Sequence, residues 1–416
     1  MELTETGVVG VAGAELEYRM IGPPPGEAPT IVLLHEGLGC VSLWKDFPDR
    51  LAAATGLGVF VYSRRGYGRS SPYEVPWPLT YMHDEAKQVL PELLDAIGFQ
   101  DGILFGHSDG ASIAAIYAGA TADPRLRGLV LMAPHFFTED AGIASIAAAK
   151  VAYEKTDLRD RLAAHHGDNV DCAFWGWNRA WLDPGFRHWD IQTYLPRVKV
   201  PVLIVQGEDD QYGTADQIAV AQDKCPGRVC VALLPDCGHS PHSDQAERTL
   251  DAAAAFISRL LVALPAGQYP LPAQPHVPGT GSEPDVAPLE HVKQTGLPRV
   301  DPDHWRDNVA YRYGWSLFDA EFFWEAHEIW EPVWHACAPN SREWHLLRAL
   351  IQLANACLKQ KMARDNASAR LLDEADRLLA DVIGPDSTSP PLLMGVDLRR
   401  LRQSLAISED SPYGNA

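Results

Sequence analysis

Short, continuous runs of apolar residues alternate with helical patterns through the first 262 residues of this chain. Such runs have no polar face to leave in water, so they predict strands that are buried on both sides. Helical patterns such as Tyr81–Ile97 and Ser112–Ala120 lie between them. Strands of this kind, separated by helices, predict an α/β fold with a mostly parallel sheet covered on both faces. The runs are Thr30–Leu34, Gly58–Tyr62, Ile103–Phe105, Leu129–Met132, Val202–Val205 and Val229–Leu234.

A proline-rich segment interrupts this composition. Nine of the 32 prolines lie between Pro265 and Pro302. Proline fixes φ and removes a backbone donor, so the segment predicts a semi-extended linker over residues 263–301, without helix or sheet. The linker separates a domain at residues 1–262 from a second domain at residues 302–416.

The second domain shows helical patterns and no strand signal. Asp301-Pro302 suits a helix start, and Gly384 suits a helix end. Four or five helices over this length predict an all-α bundle. Their expected ranges are Trp305–Ala320, Phe322–Ala336, Arg342–Met362, Ala367–Ile383 and Val396–Ile407.

Charge and cysteine usage narrow the expected partners and compartment. The chain carries 35 Lys and Arg against 55 Asp and Glu, a net charge of −20, which repels nucleic acid and anionic membrane surfaces. No apolar run reaches the roughly 18 residues of a transmembrane helix. The first residues, Met1 to Glu5, lack the basic and apolar regions of a signal peptide. Seven cysteines without a C-x-x-C pair predict reduced thiols and a cytoplasmic protein.

The strongest chemical motif is Gly106-His107-Ser108-Asp109-Gly110, which follows an expected strand and opens an expected helix. In G-x-S-x-G the small flanking residues allow a tight turn, so the Ser108 hydroxyl would stand clear of the sheet as a nucleophile. The N–H of Asp109 would then point toward a developing oxyanion.

An acid and a base should follow the serine in that order. Two neighbouring carboxylates, Asp209 and Asp210, come just after the run Val202–Val205. Two histidines, His239 and His242, follow the last run. Ligands of parallel sheets bind at the carboxyl ends of the strands, which favours these residues as partners of the serine.

Residues 1–262 resemble the α/β-hydrolase superfamily. The resemblance selects Asp210, three residues after the glycine that ends its strand, and His239, which follows a glycine. It also relates His35-Glu36-Gly37-Leu38-Gly39 to the family's oxyanion segment, and this implies the N–H of Gly37 as the second oxyanion donor. Glu36 stands where the family usually has glycine. Ser63 stands in place of the aspartate of the family's D-x-R-G-x-G-x-S segment.

The resemblance implies two-step acyl transfer: Ser108 attacks a carbonyl, His239 is the general base, and Asp210 orients the imidazole. The expected substrate is a small acyl compound, namely a carboxylic ester, thioester or lactone, and no metal or organic cofactor is needed. A hydrolase-fold binding or receptor protein is the alternative, as is an accessory hydrolase attached to a functional helical domain that binds a metal.

An aromatic-rich stretch at residues 136–199 predicts a cap over the sheet. Its rings could line an apolar substrate pocket or could instead pack the cap helices onto the sheet, and the second role is the more common one. Glu36 and Arg64 follow strand ends and are further pocket candidates. The candidate pocket residues are Glu36, Arg64, Phe136, Trp175 and Trp177.

The run Glu325-Ala326-His327-Glu328, followed by Glu331 and Trp334, is similar to domain of unknown function 309 over roughly residues 304–383. At helical spacing, His327, Glu331 and His335 form one row that could hold a divalent metal. A solvated polar face or a hydrogen-bonded cluster is the more common role of such a row. The helical domain as a whole is small and carries large apolar side chains, among them Trp324, Trp330 and Trp334, so it could pack against a second copy of the chain or against the hydrolase domain.

Overall fold

One eight-stranded sheet organises the N-terminal part of the computed structural model, which describes residues 3–264, 268–281, 283–294, 300–384 and 392–406. The strand order is β1-β2-β4-β3-β5-β6-β7-β8. Strands β3 to β8 pair only in parallel with one another. The predicted α/β fold with a mostly parallel sheet is confirmed. The strands are β1 Thr6–Val11, β2 Ala14–Ile21, β3 Thr30–Leu34, β4 Gly58–Tyr62, β5 Gly102–His107, β6 Leu126–Met132, β7 Val202–Gly207 and β8 Val229–Leu234.

The first two strands are absent from the predicted series. They form an antiparallel hairpin at the edge of the sheet, and β2 pairs antiparallel with β4. In β2, apolar and polar residues alternate, and so does their burial, because one face packs on the core while the other is more exposed. A search for continuous apolar runs does not detect such a strand.

Helices connect the parallel strands of the sheet along the chain. The segment predicted as one helix from Tyr81 to Ile97 is divided, because a π-helical turn at Glu85–Val89 separates α2 from α3. Pro91, which has no N–H to donate, stands in the first turn of α3. The helices are α1 Phe47–Thr55, α2 Tyr81–Asp84, α3 Leu90–Ala96, α4 Asp109–Thr121, α5 Asp140–Lys155, α6 Leu158–His166, α7 Val170–Leu182, α8 Ala215–Lys224, α9 Pro241–Asp244 and α10 Ala246–Val262.

Three of these helices, α5 to α7, lie between β6 and β7, within the range expected for a cap. Most of its aromatic side chains pack against one another. Tyr153 and Phe174 stack with ring centroids 3.6 Å apart, and Phe186 stacks on Trp189 at 5.4 Å. Packing is therefore the main role of the aromatic residues in this stretch, as the sequence favoured.

The chain divides into two compact units, Met1–Ala254 and Ala255–Ala416, so the boundary falls within α10. In the second unit α14 packs against both α13 and α15, and Trp330 is fully buried in the core. A short 3₁₀ turn, Trp305–Asp307, precedes α12, whose first turn is capped by Asn308 rather than by Asp301-Pro302. The helices are α11 Ala287–Gln294, α12 Val309–Asp319, α13 Phe323–His335, α14 Arg342–Lys361, α15 Asp365–Ile383 and α16 Leu398–Ala406.

Two expectations for this unit are wrong. The second unit does contain strand: Leu392–Leu393 (β9) pairs with Val396–Asp397 (β10), so the last helix begins at Leu398. Its predicted end, Ile407, lies outside the described residues.

The proline-rich segment also contains a helix, α11. Leu289 and Val292 recur at helical spacing on it and are buried in the core of the second unit. Proline excludes helix only where it removes a needed donor, and Pro288 stands in the first turn of α11. Of the predicted linker, residues 265–267, 282 and 295–299 lie outside the described part. Among the described helices none is long and apolar enough to cross a membrane.

Candidate active site

Ser108 occupies the tight turn between β5, which ends at His107, and α4, which begins at Asp109. Its backbone has φ 53° and ψ −117°, a region that non-glycine residues rarely adopt. The turn needs Gly106, because a Cβ there would lie 2.4 Å from the carbonyl oxygen of Gly110. This strained geometry presents the Ser108 side chain to a cavity at the carboxyl ends of the strands.

His239 and Asp210 meet Ser108 in a linear arrangement. Nε2 of His239 lies 2.9 Å from Oγ of Ser108, and Nδ1 lies 2.8 Å from Oδ1 of Asp210. Because a carboxylate accepts, Nδ1 carries the hydrogen and Nε2 is left to accept the hydroxyl proton. The three residues that the sequence singled out are thus adjacent in space, although Ser108 is separated from Asp210 by about a hundred residues of chain.

The Asp210 carboxylate is held by further donors. It accepts from Nε2 of Gln206 at 2.6 Å and from the backbone N–H groups of Tyr212 and Gly213. Burial alone would raise the pKa of Asp210, but the contacts with His239 and the Tyr212 N–H outweigh it and lower the pKa. Asp210 therefore stays ionised beside the imidazole. The side chain of Asp209 is exposed, and that of Asp210 is 1% exposed.

The two expected oxyanion donors, the N–H groups of Gly37 and Asp109, both belong to residues that line the cavity. Neither N–H has an acceptor among the described residues. Gly37 also lies against the cap, since a Cβ on it would fall 2.1 Å from Nε1 of Trp177. Asp109 is the first residue of α4, where free N–H groups and the helix dipole favour a negative charge.

Arg64 does not line the cavity, so the structure contradicts its expected contact with substrate. It is 3% exposed and donates from Nη2 to the Glu36 carbonyl at 2.9 Å. Its guanidinium also lies 3.9 Å from the Asp109 carboxylate. Arg64 follows a strand end as predicted, but its side chain turns beneath the oxyanion segment and supports that segment from inside.

The cavity above Ser108 has a volume of about 440 Å³. Two of the candidate pocket residues, Glu36 and Trp177, line it, and Trp181 from the same cap helix joins them. Phe136 and Trp175 do not line the cavity, which corrects two further expectations. Phe136 is fully buried below it, and Trp175 packs at right angles against Phe174. Helical spacing explains the difference, because Trp177 and Trp181 are four residues apart on one face of α7.

The model of the family described as "Alpha/beta hydrolase family" matches residues 31–252, more than half of the 416-residue chain. The chain belongs to the alpha/beta hydrolase family. The match contains Ser108, Asp210 and His239, together with the oxyanion segment. A second model, "Domain of unknown function (DUF309)", matches residues 311–371, as the sequence predicted.

Relatives of this alpha/beta hydrolase are distant. Epoxide hydrolase B of Mycobacterium tuberculosis is 30% identical over 125 residues, which are 30% of this chain and 33% of that protein. Serine hydrolase BPHL of Homo sapiens is 28% identical over 211 residues, 49% of this chain and 69% of that protein. The chain thus spans a third of the length of the first relative and over two thirds of the second.

Among solved structures, the enol-lactonase from Burkholderia xenovorans LB400 is similar. It is 22% identical, the match covers 61% of this chain and all of that one, and the TM-score is 0.47.

The row of possible metal ligands in the second unit is not assembled into a site. His327 contacts Oδ1 of Asn355 through Nδ1 at 2.9 Å, and His335 is exposed at the end of α13. The part of the chain that the structure describes holds no group of three or more His, Cys, Asp or Glu residues placed for a metal. His327 is thus hydrogen-bonded to a neighbouring helix, which is one of the more common roles that the sequence favours for such a row.

Sequence reasoning missed several residues that shape the site. His107 and His135 line the cavity from the ends of β5 and β6, and Tyr212 lies against the ring of His239. Burial beside His239 lowers the pKa of His135 to about 3, so this imidazole is neutral. The signal for His107 and His135 was available, because both stand at strand ends on the carboxyl edge of the sheet, as Asp210 and His239 do.

Proposed function

We propose that this alpha/beta hydrolase is a serine hydrolase that cleaves a carboxylic ester, thioester or lactone through an acyl-enzyme intermediate. The observation that carries the proposal is the contact of Ser108 Oγ with His239 Nε2 at 2.9 Å, with Asp210 on the far side of the ring. Relatives named as a serine hydrolase and as a bifunctional esterase/perhydrolase agree with this class.

In the first step, Nε2 of His239 takes the proton of the Ser108 hydroxyl while Oγ attacks the substrate carbonyl. The carbonyl π electrons move to oxygen, and the imidazolium then gives its proton to the leaving alkoxide or thiolate. Asp210 stays ionised and stabilises the imidazolium, which its lowered pKa supports. In the second step water, deprotonated by His239, attacks the acyl group and restores Ser108.

The developing oxyanion would be stabilised by the N–H groups of Gly37 and Asp109, which are free of other acceptors within the described residues. Donors already in place need no reorganisation as charge forms, and one such donor contributes roughly 10²–10³-fold to kcat.

The lining of the cavity limits the substrate. It combines the indoles of Trp177 and Trp181 with the carboxylates of Glu36 and Asp244, and the described lining residues include no lysine or arginine. Such a cavity suits a small, partly apolar acyl group and disfavours a polyanionic one. We therefore expect neutral short-chain acyl compounds as the substrate class.

Labelling with a fluorophosphonate tests the proposal. The intact chain should be labelled at Ser108 and should hydrolyse 4-nitrophenyl acetate or butyrate, whereas Ser108→Ala should do neither while its circular dichroism stays unchanged. A chain that binds these esters without turnover and resists the label would instead be a binding protein with a hydrolase fold.

A further inference from the structure

His107 makes two contacts that the proposed chemistry does not use. It is 1% exposed, and its Nε2 lies 2.7 Å from the backbone carbonyl oxygen of His239. A carbonyl oxygen only accepts, so Nε2 of His107 must carry the hydrogen. His239 is therefore held twice: Asp210 holds its ring, and His107 holds its main chain.

The other ring nitrogen of His107 faces an acid. Nδ1 lies 3.3 Å from Oε2 of Glu36, the residue that replaces the usual glycine of the oxyanion segment. Burial opposes a charge on His107, but Glu36, the His239 carbonyl and Asp210 outweigh it and raise the pKa of His107. Burial likewise opposes the charge of Glu36, yet contact with His107 holds the pKa of this carboxyl well below its usual range. The two side chains thus lie within ion-pair distance, and each favours the charged form of the other, although Nδ1 of His107 lacks the geometry of a hydrogen bond.

The main chain of Glu36 is fixed as well. Its carbonyl oxygen accepts from Nη2 of Arg64 at 2.9 Å and lies 2.7 Å from Nδ1 of the buried His35. The next residue is Gly37, a proposed oxyanion donor. One chain of contacts thus joins the oxyanion segment, the residue before Ser108 and the loop that carries His239.

We propose that Glu36 and His107 are a positioning pair: His107 fixes the main chain of His239, Glu36 fixes His107, and the general base and the oxyanion segment are thereby kept in register about Ser108. The proposal rests on the proposed function. Neither residue takes part in bond making. Nε2 of His107 is occupied by the His239 carbonyl, and Nδ1 faces the Glu36 carboxylate at ion-pair distance without hydrogen-bond geometry, so His107 acts through His239 rather than on the substrate.

For Glu36, positioning of His239 must be distinguished from direct binding of substrate, because the Glu36 side chain is 28% exposed and lines the cavity. If it bound substrate directly, its loss would raise KM. If it positions His239 through His107, its loss slows acylation and deacylation together, because His239 is the base in both steps, and this lowers kcat and leaves KM nearly unchanged.

The experiment uses the full chain and four variants: Glu36→Gln, His107→Gln, His107→Phe and the double variant Glu36→Gln/His107→Phe. Glu92→Gln is the matched control, because Glu92 is an exposed carboxylate on α3 whose one acceptor contact within the described part of the chain is with the Ala12 N–H. The readouts are kcat and KM for 4-nitrophenyl butyrate, the rate of fluorophosphonate labelling, and amide hydrogen exchange of residues 236–240.

We expect Glu36→Gln and His107→Phe to lower kcat and the labelling rate by roughly 10- to 100-fold, the loss that misplaced catalytic groups produce. KM should change less than about threefold in both. His107→Gln should retain more activity than His107→Phe, because its amide can still donate to the His239 carbonyl. The double variant should be no slower than His107→Phe, since Glu36 acts through His107. Exchange at residues 236–240 should be faster in Glu36→Gln than in Glu92→Gln.

A Glu36→Gln variant with the labelling rate and the hydrogen exchange of Glu92→Gln would overturn the proposal, and so would a loss confined to KM. If His107→Phe does not fold, Glu36→Gln decides the question alone. Failure of the proposed function looks different, because then the unchanged chain is not labelled. The hydrogen exchange of residues 236–240 still reports in that case whether the pair holds the loop.

Discussion

Polar residues at the carboxyl edge of the sheet and polar residues along α13 behave differently. Ser108, Asp210 and His239 lie far apart in sequence, yet they meet within hydrogen-bond distance. His327, Glu331 and His335 lie one turn apart on a single helix, yet they do not form a site in the described structure. Parallel strands bring their ends to one edge whatever their separation in sequence, whereas helical spacing places side chains in a row and supplies no group from another direction. Convergence of several elements is thus the better predictor of chemistry.

The largest effect should come from the general base. His239→Ala should lower kcat for a short-chain ester by roughly 10³-fold or more, because no other side chain of the described residues is hydrogen-bonded to Ser108 Oγ. Steady-state hydrolysis of 4-nitrophenyl butyrate measures this. His242→Ala is the control at a nearby histidine outside the hydrogen-bonded set, and a larger loss there than in His239→Ala would break the comparison.

Two neighbouring carboxylates, Asp209 and Asp210, test more closely whether position at the sheet edge decides function. Asp210→Asn should cost roughly 10²-fold or more in kcat, since an amide no longer stabilises the imidazolium and can impose the wrong tautomer. Asp209→Asn should stay within about twofold of the unchanged chain, because this side chain is exposed and does not face His239. Kinetics of the two variants side by side check the assignment, and the reverse order of effects would mean that Asp209 is the partner.

Crowding at the oxyanion segment should have a smaller effect. Gly37→Ala would set a Cβ 2.1 Å from Nε1 of Trp177, so either the segment or the cap must move. We expect a loss of about tenfold or more in kcat from displacement of the N–H donor. Gly37→Ala/Trp177→Ala should recover part of that loss by making room. If the double variant is as slow as the single one, crowding by Trp177 is not the cause.

In the second unit a buried acid should govern stability rather than chemistry. Glu325 is fully buried, its Oε1 accepts from the His276 N–H at 2.8 Å, and its Oε2 has no partner among the described residues. Burial raises the pKa of Glu325, more than the His276 N–H lowers it. A carboxyl whose pKa is raised on folding stabilises the protein below its unfolded pKa, and this contribution is lost as the pH rises through the folded value.

Through Glu325, unfolding of the second unit should therefore occur at a lower temperature at pH 8 than at pH 4.5. Glu325→Gln should reduce this dependence, because it has no charge to bury. Thermal melting of both proteins at the two pH values measures the effect, and an equal pH dependence in the variant would assign it to other groups.

The smallest effect on activity is expected from substitutions in the row of His327, Glu331 and His335 on α13. Glu331→Gln/His335→Ala should leave ester hydrolysis within about twofold, and calorimetric titration with Zn²⁺ or Mn²⁺ should give the same heats as the unchanged chain, because these side chains share no ligand position. If the unchanged chain binds one equivalent of metal and this variant binds none, the row on α13 is a metal site after all. The contrast with the sheet edge would then be wrong.

The sequence predicted the parts of the fold that depend on local pattern. Continuous apolar runs located β3 to β8, and the glycines around Ser108 located the turn that presents it. The alternating strand β2 was missed because its pattern is split between two faces, and α11 was missed because proline content hid the spacing of Leu289 and Val292.

Within the site, prediction from the sequence failed where a residue's role depends on the direction in which its side chain points. Arg64 and Glu36 both follow strand ends, but only the folded chain shows that Arg64 turns inward and that Glu36 faces the cavity. Trp175 and Trp177 are two residues apart on α7, and helix rotation alone sends one to the cap core and the other to the cavity. Such choices depend on tertiary packing, which residue types and spacing do not specify.

The positive φ of Ser108 also bears on how this family can evolve. The strained turn disfavours folding by about 1–3 kcal/mol, which the surrounding structure must offset. Bonds such as Ser108 N–H to the Met132 carbonyl contribute to holding it. A member of the family with glycine at this position would have a relaxed backbone but no nucleophile for the proposed chemistry.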